Sequence, residues 1–238
     1  AANVDWHGDY NGDLEVLDAK LPDLRLMQIP CFGTQEVQDN FRGQWEVSSP
    51  ASAAPFSAVG YFCGRYLQRI LGVPVGLIEA AYGGSEAGAW IRRSALEQDP
   101  RFKKLMARAV ESEAEYESPH AQKDYEAALV KWQVAVKQAE AQGDNPPVKP
   151  VSPEKWLSGQ WRPGNLFDGM LHPIIGYGIK GVLWYQGENN LKHPLEYADL
   201  FPFLIEQWRQ EWGQGNFPFY WMQLPNCGPT KPFPIGGV

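Results

Sequence analysis

Apolar residues recur along this chain in two rhythms that alternate. From Ser57 to Leu71 the apolar positions Val59, Phe62, Cys63, Tyr66, Leu67 and Ile70 follow helical spacing, and Gly72 closes the run. Val75 to Ala81 follows at once as a mostly apolar strand. Leu24-Arg25-Leu26-Met27-Gln28-Ile29 alternates and stops at Pro30, the pattern of a short strand. Gly181 to Tyr185 predicts another strand. Leu195 to Trp212 predicts a helix with Tyr197, Leu200, Phe201, Leu204, Ile205 and Trp208 as its apolar positions, and Phe217 to Leu224 a last, aromatic strand. Residues 1–23 and 31–55 read as loops, the first with a helical turn near Leu14–Ala19. Four strands, about 24–29, 75–81, 180–185 and 218–224, with helices between them, give the alternation of an α/β protein with a mostly parallel sheet.

The stretch 101–142 departs from this rhythm. Phe102, Met106, Ala109 and Tyr116 form one apolar stripe, and Tyr125, Leu129, Trp132 and Val136 a second. Ser118-Pro119 separates them, because a residue before proline avoids the helical region. The expectation is a helical hairpin inserted into the α/β domain, with residues 143–163 as a proline-rich return linker. The domain division predicted is 1–94 with 164–238 for the main body and 95–163 for the insertion.

Composition narrows the function. With 238 residues, 44% hydrophobic and 21% charged, the chain can bury a sizeable core. A formal net charge of −7 argues against a nucleic-acid partner, which calls for a basic face. No apolar run approaches the roughly 18–20 residues needed to cross a bilayer, so no membrane partner is expected. Cys31, Cys63 and Cys227 form no CxxC pair, and the histidines His7, His120, His172 and His193 show no metal-ligand spacing, so neither metal nor cofactor is expected. The 10 Trp and 10 Tyr suit either sugar stacking or core filling, and both readings stay open.

An open α/β sheet places its ligand site beyond the carboxyl ends of its strands. The loops to inspect therefore start near Pro30, Tyr82, Gln186 and Pro225. In Tyr82-Gly83-Gly84-Ser85 two glycines let backbone approach a ligand, and N–H groups there suit an anion or a developing oxyanion. Trp184-Tyr185-Gln186-Gly187-Glu188-Asn189-Asn190 gathers amides and a carboxylate just past a buried strand. Other matches fail on context. Gly176-Tyr177-Gly178-Ile179-Lys180-Gly181 has the dinucleotide spacing but precedes its strand and opens no helix. Gly83-Gly84-Ser85-Glu86-Ala87 approaches a nucleophile elbow but ends in Ala. His172, in an apolar setting, reads as a hydrogen-bonded structural residue.

Together, Phe56 to Phe62, Gly72 to Ile78, Tyr82 to Ser85 with Ala89-Trp90, Leu166 to Pro173, Gly181 to Glu188 and Phe217 to Tyr220 resemble the sialate O-acetylesterase family, a branch of the SGNH (GDSL-like) hydrolases. The resemblance implies a flavodoxin-like, three-layer α/β/α fold and a serine esterase that removes acetyl groups from sugars, secreted or periplasmic. It implies that Gly84, or Gly83, donates a backbone N–H to the oxyanion, that Gln186 donates a side-chain amide, and that Glu188 supports them. Ser85, Trp90, Tyr185 and Asn190 then fall among the substrate-contacting residues, with an acetylated carbohydrate as partner.

Two blocks that the family carries are missing from this sequence: a Gly-Gln-Ser-Asn-Met segment for the nucleophile and a C-terminal Asp-x-x-His for the base. The resemblance thus implies a fragment, inactive alone, with a slot beside the strand at 24–29 where a central strand is lacking. Asn189 and Asp168 also depart from the usual residues. Two other readings remain. One is a non-catalytic carbohydrate-binding or scaffold protein on the same fold. The other is a glycoside hydrolase pairing Glu188 with a second acid, for which Asp168 is the one mild candidate.

Overall fold

The computed structural model describes residues 3–5 and 11–224. Helix α1 (Gly12–Leu17) leads into strand β1 (Leu21–Gln28), then β2 (Glu46–Ser48), α2 (Pro50–Ala53), α3 (Ala58–Leu71) and β3 (Val75–Glu79). Helices α4 (Arg93–Gln98), α5 (Lys103–Tyr116), α6 (Ala121–Gln142) and α7 (Pro153–Leu157) follow, then β4 (Val182–Trp184), α8 (Pro194–Trp212) and β5 (Phe219–Trp221). The helices begin and end where local chemistry requires. Ser57 Oγ accepts from the Gly60 N–H at the start of α3, and Gly72 ends it in the left-handed region at φ 62°. Pro194 opens α8, and Gly213 closes it at φ 63°.

The described strands form two sheets, where a single flavodoxin-like sheet was expected. In the first, β1 lies between antiparallel β2 and parallel β3. In the second, β4 runs parallel to β5. The slot expected beside residues 24–29 is not there, because Leu24 to Gln28 pair in parallel register with Val75 to Glu79. A side-chain link supports that register: Gln28 Nε2 donates to Glu79 at 3.0 Å. The break falls between β3 and β4 instead. Residues 31–55, expected as loop, contain β2 and α2, and the proline-rich return contains α7.

Two cores sit on opposite faces of the first sheet. Leu24 and Leu26 point to α3 and pack with Phe56 and Tyr61. Ile29, displaced by odd steps along the chain, joins the larger core instead. That core is aromatic. Trp184 meets Trp208 edge-on at 5.7 Å and stacks with Phe201 at 5.8 Å. The Trp208 indole donates to the Trp90 carbonyl at 2.8 Å, so burial leaves its N–H satisfied. Most of the aromatic excess in the main body therefore fills space.

The hairpin is less separate than its composition suggests. Leu96, Phe102, Leu105, Met106 and Ala109 all belong to the larger core, while α6 buries no residue. Glu113 on α5 binds the guanidiniums of both Arg93 and Arg162, the latter at 2.7 Å. Tyr116 stacks on Trp156 of α7 at 4.7 Å. The returning segment is thereby delivered to the end of β3.

Candidate active site

The turn that follows β3 and the loop that follows β4 meet. At their junction three side-chain amides bind three consecutive backbone carbonyls. Gln160 Nε2 donates to the Gly83 carbonyl at 3.3 Å. Asn189 Nδ2 donates to that of Gly84. Gln186 Nε2 donates to that of Ser85 at 2.8 Å. Asn190 completes the junction, its Oδ1 accepting from the Ala87 N–H at 3.0 Å and from Gln186 at 2.6 Å.

A trans peptide holds its C=O and N–H in opposite directions. With the carbonyls of Gly83 and Gly84 drawn toward the amides, the N–H groups of the same peptide planes, those of Gly84 and Ser85, face away from them. Of these two residues Gly84 is exposed and Ser85 buried, and among the described residues the Gly84 N–H has no protein acceptor. Gly84 sits at φ 71°, a conformation that favours glycine, and this explains why the turn carries one there. An unpaired, preoriented N–H at a strand tip can stabilise a negative oxygen.

Gln186 stands beside this turn, but its amide is fully engaged. Both Nε2 hydrogens are spent on Ser85 and Asn190, and Oε1 lies 3.2 Å from the Tyr197 hydroxyl. It braces the turn. Ser85, Trp90 and Asn190, expected to contact substrate, are instead buried. Ser85 Oγ accepts from Trp90 Nε1 at 2.9 Å. Polar residues clustered at a strand tip look alike in sequence whether they face a ligand or tie loops together. Tyr185 and Glu188 are exposed. Gln160 and Asn189 complete the junction without having been singled out as site residues. Asn189 lay inside the polar loop, but no local signal marks Gln160.

The charged groups nearby are sorted by burial. Burial pushes the Glu86 carboxyl up, against the pull of Lys192 and Arg108, and Glu196 adds to the rise. Burial also raises Asp168, which lies near Arg92 and His172. His172 donates Nδ1–H to the Gln38 carbonyl at 2.9 Å, the structural role expected of it. A cavity of about 280 Å³ lined by Gln28, Gln44, Glu46 and Ser52 shares no residue with the turn. His7, Cys227 and the loop at Pro225 lie outside the described residues.

Comparison with known proteins decides the lineage. A sequence-family model described as "Carbohydrate esterase, sialic acid-specific acetylesterase" matches residues 152–233. Sialate O-acetylesterase of Mus musculus is 30% identical over 183 residues, 71% of this chain and 29% of the mouse protein. The chain belongs to the sialate O-acetylesterase family. The Homo sapiens sialate O-acetylesterase is 25% identical over 84% of this chain and 33% of its own. Among solved structures, a carbohydrate acetylesterase from Xanthomonas citri superposes with a TM-score of 0.61 at 26% identity, over 92% of this chain and 38% of that one. The chain thus spans about a third of the length of the curated relatives it matches. Among the described residues, no helix is long and apolar enough to cross a membrane.

Proposed function

We propose that this chain carries the oxyanion-binding half of a carbohydrate O-acetylesterase centre. The observation that supports it most is the exposed Gly84 N–H, without an acceptor among the described residues and held in one orientation by the Gln160 amide on the Gly83 carbonyl of the same peptide plane. In this reading a serine oxygen attacks the acetyl carbonyl carbon while a histidine takes its proton. The carbonyl oxygen becomes negative and is met by the Gly84 N–H. Collapse of the intermediate expels the sugar oxygen, which takes the proton back from the histidine. Water then releases acetate by the same steps. Glu188 and Tyr185, both exposed, meet the sugar hydroxyls.

The serine and histidine come, in this reading, from parts of a longer protein. Among the described residues, Ser85 is buried and His172 is bound to the Gln38 carbonyl. The place for an added strand is the break between β3 and β4, each of which has an edge that pairs with no strand among the described residues. A secreted or periplasmic location would suit substrates carried on glycans.

The test is hydrolysis of p-nitrophenyl acetate and of O-acetylated sialic acid. The 238 residues alone should stay at background, and a longer chain including the flanking blocks should turn both over. A longer chain that binds sugars but releases no acetate would leave the non-catalytic reading standing.

A further inference from the structure

Gln160 lies in the returning segment, 77 positions from the glycine it binds. It is buried, and its Oε1 is sealed from solvent without a hydrogen-bond partner among the described residues. A buried acceptor without a donor carries a desolvation penalty and no return. For packing alone, a methionine or leucine would serve better. The amide is therefore explained by what its other end does, which is to donate to the Gly83 carbonyl.

That carbonyl belongs to the peptide plane whose N–H is that of Gly84. Holding one end of the plane aims the other. Between two glycines, the second at φ 71°, this plane is free to rotate by half a turn at low steric cost. Rotated, it would present a carbonyl oxygen where an oxyanion must form. The segment carrying Gln160 is itself firmly held. Its backbone carbonyl accepts from the Glu86 N–H at 3.1 Å. The fully buried Asn165 donates to the carbonyls of Leu157 and Gly159 at 2.9 and 2.8 Å.

We propose that Gln160 is a positioning residue that fixes the Gly83–Gly84 peptide plane in its donor-outward orientation. Its catalytic consequence rests on the oxyanion reading above, whereas its effect on the turn does not.

Two variants test it, Gln160→Met, which keeps the volume and discards the amide, and Gln160→Glu, which keeps the shape and sets a carboxylate against the Gly83 carbonyl. In the labelled 238-residue chain the Gly84 amide and Gly83 carbonyl resonances should move or split in both variants, more in Gln160→Glu. The melting temperature of Gln160→Met should be equal or higher, because an orphaned acceptor is gone and water can reach the exposed Gly83 carbonyl. In the longer, active protein kcat should fall about 10- to 100-fold with KM within about threefold. Resonances unmoved in a folded variant, or a clear loss of stability in Gln160→Met, would overturn the proposal. A longer wild-type chain without esterase activity would sink the functional reading alone, since the resonances still decide the clamp.

Discussion

Asn190 offers the sharpest separation of a structural from a ligand-facing role. Its Oδ1 receives the Ala87 N–H at 3.0 Å and a Gln186 amide hydrogen at 2.6 Å. Ala87 is fully buried, so in Asn190→Ala its N–H has no water to turn to. One orphaned buried donor costs about 1–3 kcal/mol. The freed Gln186 hydrogen adds less, because Gln186 is only half-buried and keeps its bond to Ser85. A loss of about 2–3 kcal/mol follows, equivalent to roughly 4–12 °C in Tm for a chain of this size. Asn190→Asp retains an acceptor for both donors and should recover more than half of that loss. Urea unfolding followed by tryptophan fluorescence measures both, compared at constant m. If Asn190→Ala unfolds within about 0.5 kcal/mol of the parent chain, a level typical of ordinary surface substitutions, the junction is not what joins the two loops, and a substrate-facing Asn190 becomes the better account.

Other expectations concern charge and packing. Burial opposes the ionised form of Glu113, but the guanidiniums of Arg93 and Arg162 outweigh it and hold the carboxyl below its usual range. A depressed folded value means that its stabilisation is complete above about pH 4.3 and fades as pH falls through the folded value. The stability gap between the parent and Glu113→Gln should therefore shrink in denaturant titrations below that pH. Glu86 has the opposite sign. Burial raises its folded value, so ionisation near neutral pH weakens the fold, and Glu86→Gln should be more stable at pH 7, with the advantage vanishing toward pH 4. Gly169→Ala should destabilise by about 1–3 kcal/mol in the same assay, because its new methyl would run into the Phe32 carbonyl oxygen.

Much of the fold was legible in the chain itself. Helical spacing with a serine at one end and a glycine at the other gave α3 almost to the residue, and α8 was equally plain. The predicted strands contain those observed, which are shorter at one or both ends except β1, since pairing, and not apolar character, sets where a ladder stops. The segment at 46–53 escaped notice. Three strand residues and four helical ones are too few to show a period, and they form because Ser52 Oγ donates to the Val47 carbonyl at 2.9 Å and β2 finds an edge of β1.

By itself the sequence determined the longer helices and four of the strands, that a glycine turn and an amide-rich loop cap two of those strands, and that the lineage is an acetylesterase one. Those properties are written in spacings of two to four residues and in contiguous motifs. Only the tertiary structure decided the rest. It placed the break between β3 and β4, turned Ser85, Trp90 and Asn190 inward, and spent the Gln186 amide on bracing. It also brought Gln160 and Asn189 onto carbonyls 77 and 105 positions away. A hydrogen bond depends on the meeting of two groups in space, and no local rhythm along the chain encodes that meeting.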